Sequence, residues 1–192
     1  MAWNTEATRD KLLEAATAQF AAVGFAGARI NTIATDAGIN KERIYQYFGD
    51  KAGLFSAVLS TEVERLLDGI RIPADAPDAL PTLAAALVDR AALHPHLARL
   101  LAWESLELDE PVSAETRTQG CAEMVTTLTA AYPGLDRGRA ADLLFSVIAL
   151  SLADRCLPHL AALVTPTATT STRRDAVIAQ VTGMAAALQD HP

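Results

Sequence analysis

The chain has 192 residues, 51% of them hydrophobic and 5% aromatic, and a formal net charge of −7. That length fits one or two domains with a substantial core, and the acidic balance excludes indiscriminate coating of nucleic acid or membrane while leaving room for a local basic surface. Cys121 and Cys156 lack CxxC spacing and read as reduced intracellular thiols, not as a disulfide framework or zinc site.

The opening MAWNTEATRD has no basic start followed by an apolar run, so no signal peptide is expected. The most apolar segment, residues 140–157, is broken by Asp142, Asp154 and Arg155 and is too polar to span a bilayer. The expected setting is a soluble, cytoplasmic protein. In TRDKLLEAATAQFAAVG, Leu12, Leu13, Ala16, Phe20 and Val23 recur at steps of three and four, which is one helical face. Asn4 or Thr5 suits its start, and Gly24 suits a left-handed end. A short helix follows with Ile30, Ile33, Ala34 and Ala37 inward, then Gly38 at a sharp reversal. NKERIYQYF reads as a second short helix capped by Asn40 and ended by Gly49. Asp50 then caps a longer helix from Lys51. Pro73, Pro77 and Pro81 mark a joint near residue 70. Five further amphipathic segments follow, the last with a Thr172/Asp175 capping box. No strand pattern or repeat appears, so the expected fold is all-α.

Seven of the ten aromatic residues fall before residue 56. The window from Arg9 to Lys51 carries a net charge of +1, so the remaining sequence nets −8. Residues 30–48 have helix-turn-helix spacing, with Ile33 and Ile44 as core contacts, a small Ala34, and Gly38 and Ile39 at the turn. At 100° per residue, Ile44 and Phe48 share the inner side of the second helix, with Glu42 and Gln46 opposite and Arg43 and Tyr45 flanking. Tyr47 lies nearer the core edge. Such a helix reads the major groove: Gln46 suits adenine, Lys41 and Arg43 suit guanine or phosphate, and Tyr45 suits a thymine methyl or a phosphate. Glu42 would accept from cytosine or repel phosphate. Lys51, at the next helix N-terminus, suits a phosphate. The alternative for YQYF is a core aromatic cluster beneath an ordinary solvated face.

Residues 8–59 resemble the N-terminal DNA-binding domain of TetR-family transcriptional regulators. The resemblance rests on the Ala-Ala-x-x-x-Phe helix before Gly24, on Ile33-Ala34 with Ala37-Gly38-Ile39, and on Tyr45, Phe48, Lys51 and Leu54. It implies a three-helix helix-turn-helix domain over residues 1–50, a connecting helix over 51–70, and a helical ligand-binding and dimerisation domain over 71–192. It also implies a homodimer on a palindromic operator in double-stranded DNA, a repressor released by a small molecule. Lys41, Glu42, Tyr45 and Gln46 would then face bases, Arg43 a base or phosphate, and Tyr47 and Lys51 phosphates. Arg29 departs from the family's usual Thr or Ser before the second helix. It offers an ionic phosphate contact in place of a hydroxyl cap.

In the C-terminal half, the last helix and the long helix before it are apolar widely enough to be buried on more than one side. Val147, Val177, Val181, Met184 and Leu188 are the expected dimer-interface residues, with intramolecular core as the other reading. Trp103, Glu104, Met124, Leu128, Phe145 and Ile148 are the expected ligand-site residues, again with plain core packing as the alternative. Trp103 stands out in a chain that otherwise fills its core with Ala and Leu. His94 and His96 lack a third ligand, so no metal and no cofactor is expected. No HExxH, Gly-rich phosphate loop or nucleophile motif supports an enzyme. The competing function is a helical protein-interaction adaptor that binds no DNA.

Overall fold

The structure is a computed structural model that describes residues 5–72 and 78–189. The Asn4 cap and the joint residues Pro73 and Pro77 lie outside these. The described residues form helices only: α1 (Thr5–Gly27), α2 (Ile30–Ala37), α3 (Lys41–Phe48), α4 (Lys51–Leu67), α5 (Ala79–Leu93), α6 (Leu97–Glu107), α7 (Ala114–Ala131), α8 (Arg137–Cys156), α9 (Pro158–Val164) and α10 (Thr170–Gln189). No single helix among them is long and apolar enough to cross a membrane. The chain divides into two compact units, Met1–Arg65 with His96–Ala114, and Leu66–Pro95 with Glu115–Pro192. The division differs from a simple cut near residue 70, because α6 returns to the first unit.

In the first unit, Leu12, Leu13, Ala16, Phe20 and Ala21 of α1 are buried with Ile33, Ile44, Leu54, Phe55, Val58 and Leu59. Each fully buried Leu, Ile or Phe contributes about 1.5–3 kcal/mol over its exposed state. Phe20 meets the edge of Phe55 at 5.0 Å between centroids, and Phe25 meets Phe55 at 5.5 Å. Val23, expected on this face, is 45% exposed. Gly24, one residue later, leaves helical geometry (φ 77°, ψ 179°), so the regular helical stripe ends beside Val23. Ser113, at φ 52°, is bonded through its hydroxyl to Ser56 and Ser60 of α4 at 2.7 and 2.8 Å.

In the second unit, α5 packs between α10 and α8. Leu80, Leu83, Ala84, Leu87, Val88 and Ala91 form its buried stripe. Val147, Val177 and Val181 belong to this same core, at 0%, 1% and 0% exposure. These three expected interface residues therefore have no surface left for a second chain, while Met184 and Leu188 remain half-buried. The alternation that marked them as apolar is satisfied by α5. A forked pair, Arg174 Nε and Nη2 to the two Asp89 oxygens at 2.6 and 2.8 Å, ties α10 to α5. The hydrogen bond from Arg174 holds the Asp89 carboxyl below its usual range. Asp136 caps α8 by accepting from Gly138 N and Arg139 N. The reciprocal cap of α10 joins Thr169 and Thr172, each backbone N–H donating to the other's hydroxyl, and not Thr172 with Asp175.

Tyr132 is 4% exposed, and its hydroxyl accepts from Leu80 N at 3.1 Å. Burial pushes its phenol pKa up. Tyr132→Phe would leave that amide at the start of α5 unpaired, so a loss of about 1–3 kcal/mol is expected in denaturant unfolding. An unchanged midpoint would show that water takes the hydroxyl's place.

Candidate nucleic-acid interface

The α2–α3 turn closes as its glycine requires. Gly38 sits at φ 65°, ψ 31°, and its N–H reaches the carbonyls of Ala34 and Thr35. The N–H of Ile39 returns to Ala34 O at 2.9 Å. These bonds satisfy the last carbonyls of α2 while reversing the chain within two residues. Asn40 then caps α3 by accepting from Glu42 N at 3.4 Å. Ile44 is fully buried and holds α3 down. Phe48, expected in the core, is only half-buried; the Arg9 guanidinium covers its ring at 5.6 Å. Among the described residues, the fully buried aromatics of this unit are Phe20 and Phe55 instead.

Ile44 anchors one side of α3, so the other side faces solvent. Lys41, Glu42, Tyr45 and Gln46 are exposed there, with Tyr45 at 50%. Arg43 and Tyr47 flank this face and are half-covered. Arg43 Nη1 donates to Gln46 Oε1 at 3.1 Å. Arg29 is exposed at the N-cap of α2, in extended conformation, and its side chain makes no cap hydrogen bond. The hydroxyl cap is thus absent at the start of α2. A shallow concavity between Asn31, Thr35, Gly38, Asn40 and Lys41 joins α2 to α3. Four of the eight expected DNA-facing residues lie on this one face, with Arg43 and Tyr47 at its flanks and Arg29 at the neighbouring helix start.

Lys51 is engaged internally: its Nζ donates to Ala26 O at 3.2 Å and lies 4.9 Å from the centroid of the Phe25 ring. An ammonium carries three donors, so this bond fixes where the remaining positive charge points. Asp50 caps α4 by accepting from Gly53 N at 2.8 Å.

A second group fixes the end of α1, and sequence reasoning missed it. Arg99, Trp103 and Glu107 lie four apart on one face of α6. Arg99 Nε and Trp103 Nε1 both donate to Ala21 O, at 2.7 and 3.3 Å. Glu107 Oε2 accepts from Ala26 N at 2.9 Å. Gly24 lies beneath them, and a Cβ built there would be 2.7 Å from Glu107 Oε1 and 2.9 Å from Trp103 Cε3. Trp103, expected at a ligand site, thus holds the helix that supports the turn. The i, i+4, i+8 spacing was readable, but its partner lies some eighty positions earlier. Glu104, its neighbour in that expectation, is 5% exposed and accepts from Val112 N at 2.8 Å.

The other four expected ligand residues belong to the second unit. Leu128 is fully buried, Met124 and Ile148 are half-buried, and Phe145 is 73% exposed. Phe145 therefore stands on the surface of α8 and lines no interior space. A cleft of about 500 Å³ does occur in this unit, between Asp154, Leu157, Leu160, Val164 and Arg173. None of the four lines it.

Two family models match the chain: one for bacterial regulatory proteins of the tetR family over residues 12–58, and one for a tetracyclin repressor-like C-terminal domain over residues 79–183. The HTH-type transcriptional repressor SCO4008 of Streptomyces coelicolor is 41% identical over 156 residues, covering 76% of this chain and 77% of that protein. The HTH-type transcriptional activator FasR of Mycolicibacterium smegmatis is 30% identical over 151 residues, covering 75% and 68%. The crystal structure of SCO4942 from Streptomyces coelicolor superposes with a TM-score of 0.77 at 29% identity, covering 92% of this chain and 97% of that one. A turn glycine, a capped and anchored α3 and two adjoining family matches agree: the chain belongs to the tetR family of bacterial regulatory proteins and is a DNA-binding transcriptional regulator.

Proposed function

We propose that the protein is a repressor that binds a palindromic operator as a homodimer and leaves it when a small molecule occupies the C-terminal unit. The observation that carries this is the α3 face, where Lys41, Glu42, Tyr45 and Gln46 stand exposed on a helix fixed from behind by Ile44. A protein-interaction adaptor would need neither the Gly38 turn nor these outward polar groups. Arg29, Tyr47 and Lys51 are assigned to phosphates, which position the helix without reading sequence. Repression follows the relative at 41% identity, SCO4008, which is named a repressor.

The dimer is supported by unpartnered surface on α8 and α10. Phe145 is exposed with Ala141 and Ala149 on the same face of α8, and Ala176, Ala179, Gly183 and Ala187 are exposed along α10. Small residues let helices approach closely, and a contiguous exposed apolar patch marks an interaction site. Two such helices from each of two subunits form a four-helix bundle about a two-fold axis. Met184 and Leu188 would join its rim. This symmetry would set two α3 helices roughly 34–36 Å apart, one DNA turn. Met124, Leu128 and Ile148 are the proposed apolar contacts of the effector, and ligand and DNA must weaken each other's binding by the same factor.

The test is a gel shift against DNA flanking the protein's own coding region, with sizing in solution. Wild type is expected to run as a dimer and shift a specific fragment. Phe145→Glu is expected to run as a monomer and lose at least about tenfold in affinity, since each half-site then binds alone. A wild-type monomer at micromolar concentration, or no shift of any such fragment, would count against the reading.

A further inference from the structure

The contact between Arg43 and Gln46 bears on which base the protein selects. Residues three apart on a helix are neighbours along one strip of its surface. Here Arg43 Nη1 lies 3.1 Å from Gln46 Oε1. A guanidinium only donates, so the amide atom facing it must be the carbonyl oxygen. The Gln46 amide is therefore oriented from within α3, with its Nε2 and both of that atom's hydrogens turned away from Arg43. Glutamine reads adenine by accepting from N6 and donating to N7 at once. With Oε1 turned to Arg43, one of its two lone pairs is taken and the direction of the amide is set, which disfavours the accepting half of that pattern.

We propose that Arg43 and Gln46 act as one reading unit that presents chiefly donors, and that Arg43 thereby directs Gln46 to guanine in each half-site. Guanine shows two adjacent acceptors, N7 and O6, in the major groove; thymine shows one, O4; cytosine shows a donor there. The order of preference at the Gln46 position is then guanine, thymine, adenine, cytosine. Arg43 specifies a base here without touching it, as a positioning residue. Exposed Glu42, the acidic neighbour on this face, supplies the acceptor that a cytosine N4 amine seeks, and so complements the same preference for G·C pairs. This rests on the proposed assignment of the α3 face to bases.

The full-length protein, its variants and a randomised duplex library test it by selection and sequencing. Gln46→Ala marks the governed position, as the place where base preference collapses. At that position wild type is expected to enrich guanine. Arg43→Ala frees the amide to turn over, and the ratio of adenine to guanine is expected to rise by about tenfold or more, within the range of one paired base contact. Gln46→Glu, which can only accept, is expected to move the preference to cytosine. Replacing the selected guanine by 7-deazaguanine should weaken wild type and leave Gln46→Ala little changed. Both side chains lie on the α3 surface, and thermal melting of each variant checks that it is folded. Enrichment of adenine by wild type would overturn the proposal. So would an Arg43→Ala variant that binds all sequences more weakly with the base ratio unchanged, which would make Arg43 a phosphate contact. Enrichment of no sequence by wild type would remove the DNA-reading assignment itself, a separate outcome.

Discussion

Gly24→Ala is expected to lower stability by about 3–5 kcal/mol, a large part of the 5–15 kcal/mol that holds a typical domain together. The backbone at Gly24 has φ 77° and ψ 179°, a region open essentially only to glycine and costing other residues about 1–3 kcal/mol. The added methyl would also fall 2.7 and 2.8 Å from the two carboxylate oxygens of Glu107 and 2.9 Å from Trp103 Cε3. Those side chains can swing away, but Glu107 then releases the Ala26 N–H and Trp103 releases the Ala21 carbonyl. Each lost hydrogen bond is worth roughly 1 kcal/mol. A chain of this size should lose roughly 10 °C in melting temperature. The α1 end supports both Phe25 and, through Ala26 O, Lys51, so DNA affinity should fall with it. Gly120→Ala is the control. It lies inside α7 with nothing within 4 Å of the added carbon, and a gain of about 0.5–1 kcal/mol is expected. Equal melting temperatures for the two variants would mean that α6 does not clasp α1 in solution.

The first three helices and the start of α4 were legible because their signals are local. Gly38 and Gly49 end α2 and α3, Asn40 and Asp50 cap the helices that follow, and Ile33 and Ile44 fall on one face at helical spacing. The structure places all six accordingly. Family resemblance then supplied the role of the outward residues. What was not legible depends on distant partners. The spacing of Val147, Val177 and Val181 marks them as buried, but periodicity cannot say whether the covering surface is α5 of the same chain or a second subunit. Phe145 shows the converse: a large apolar residue in an apolar helix reads as interior, yet it stands at 73% exposure. Trp103 stands out for its rarity, and its indole N–H bonds Ala21 O, a partner too distant in the chain for spacing to name. Gln46 reads as adenine-facing from its chemistry alone; its contact with Arg43 depends on side-chain placement that spacing does not give.

Gly53→Ala is expected to have the other large effect, for a different physical reason. Gly53 is an ordinary helical residue in the first turn of α4, so no backbone preference demands glycine there. Space does: a Cβ at this position would collide with the carbonyl oxygen of Phe48, the last residue of α3. The obstructing atom is backbone, so no rotamer change relieves it, and α3 and α4 must move apart. Overpacking typically costs 1–3 kcal/mol, and the rigidity of both partners puts this case near 3 kcal/mol. The movement would also break the Asp50 cap, whose oxygen lies 2.8 Å from Gly53 N. Because α3 carries Tyr45 and Gln46, tilting its end displaces the side chains proposed to face bases, and a misplacement of about 1 Å is enough to spoil paired hydrogen bonds. The expected result is a lower melting temperature together with a loss of at least tenfold in operator affinity under conditions where the variant is still fully folded. Asp50→Ala separates the two causes, since it removes the cap, at about 1 kcal/mol, without forcing the helices apart. It should therefore melt lower while keeping most of the DNA affinity. If Gly53→Ala bound as tightly as Asp50→Ala, the α3–α4 junction would be too compliant to set the reading position of α3.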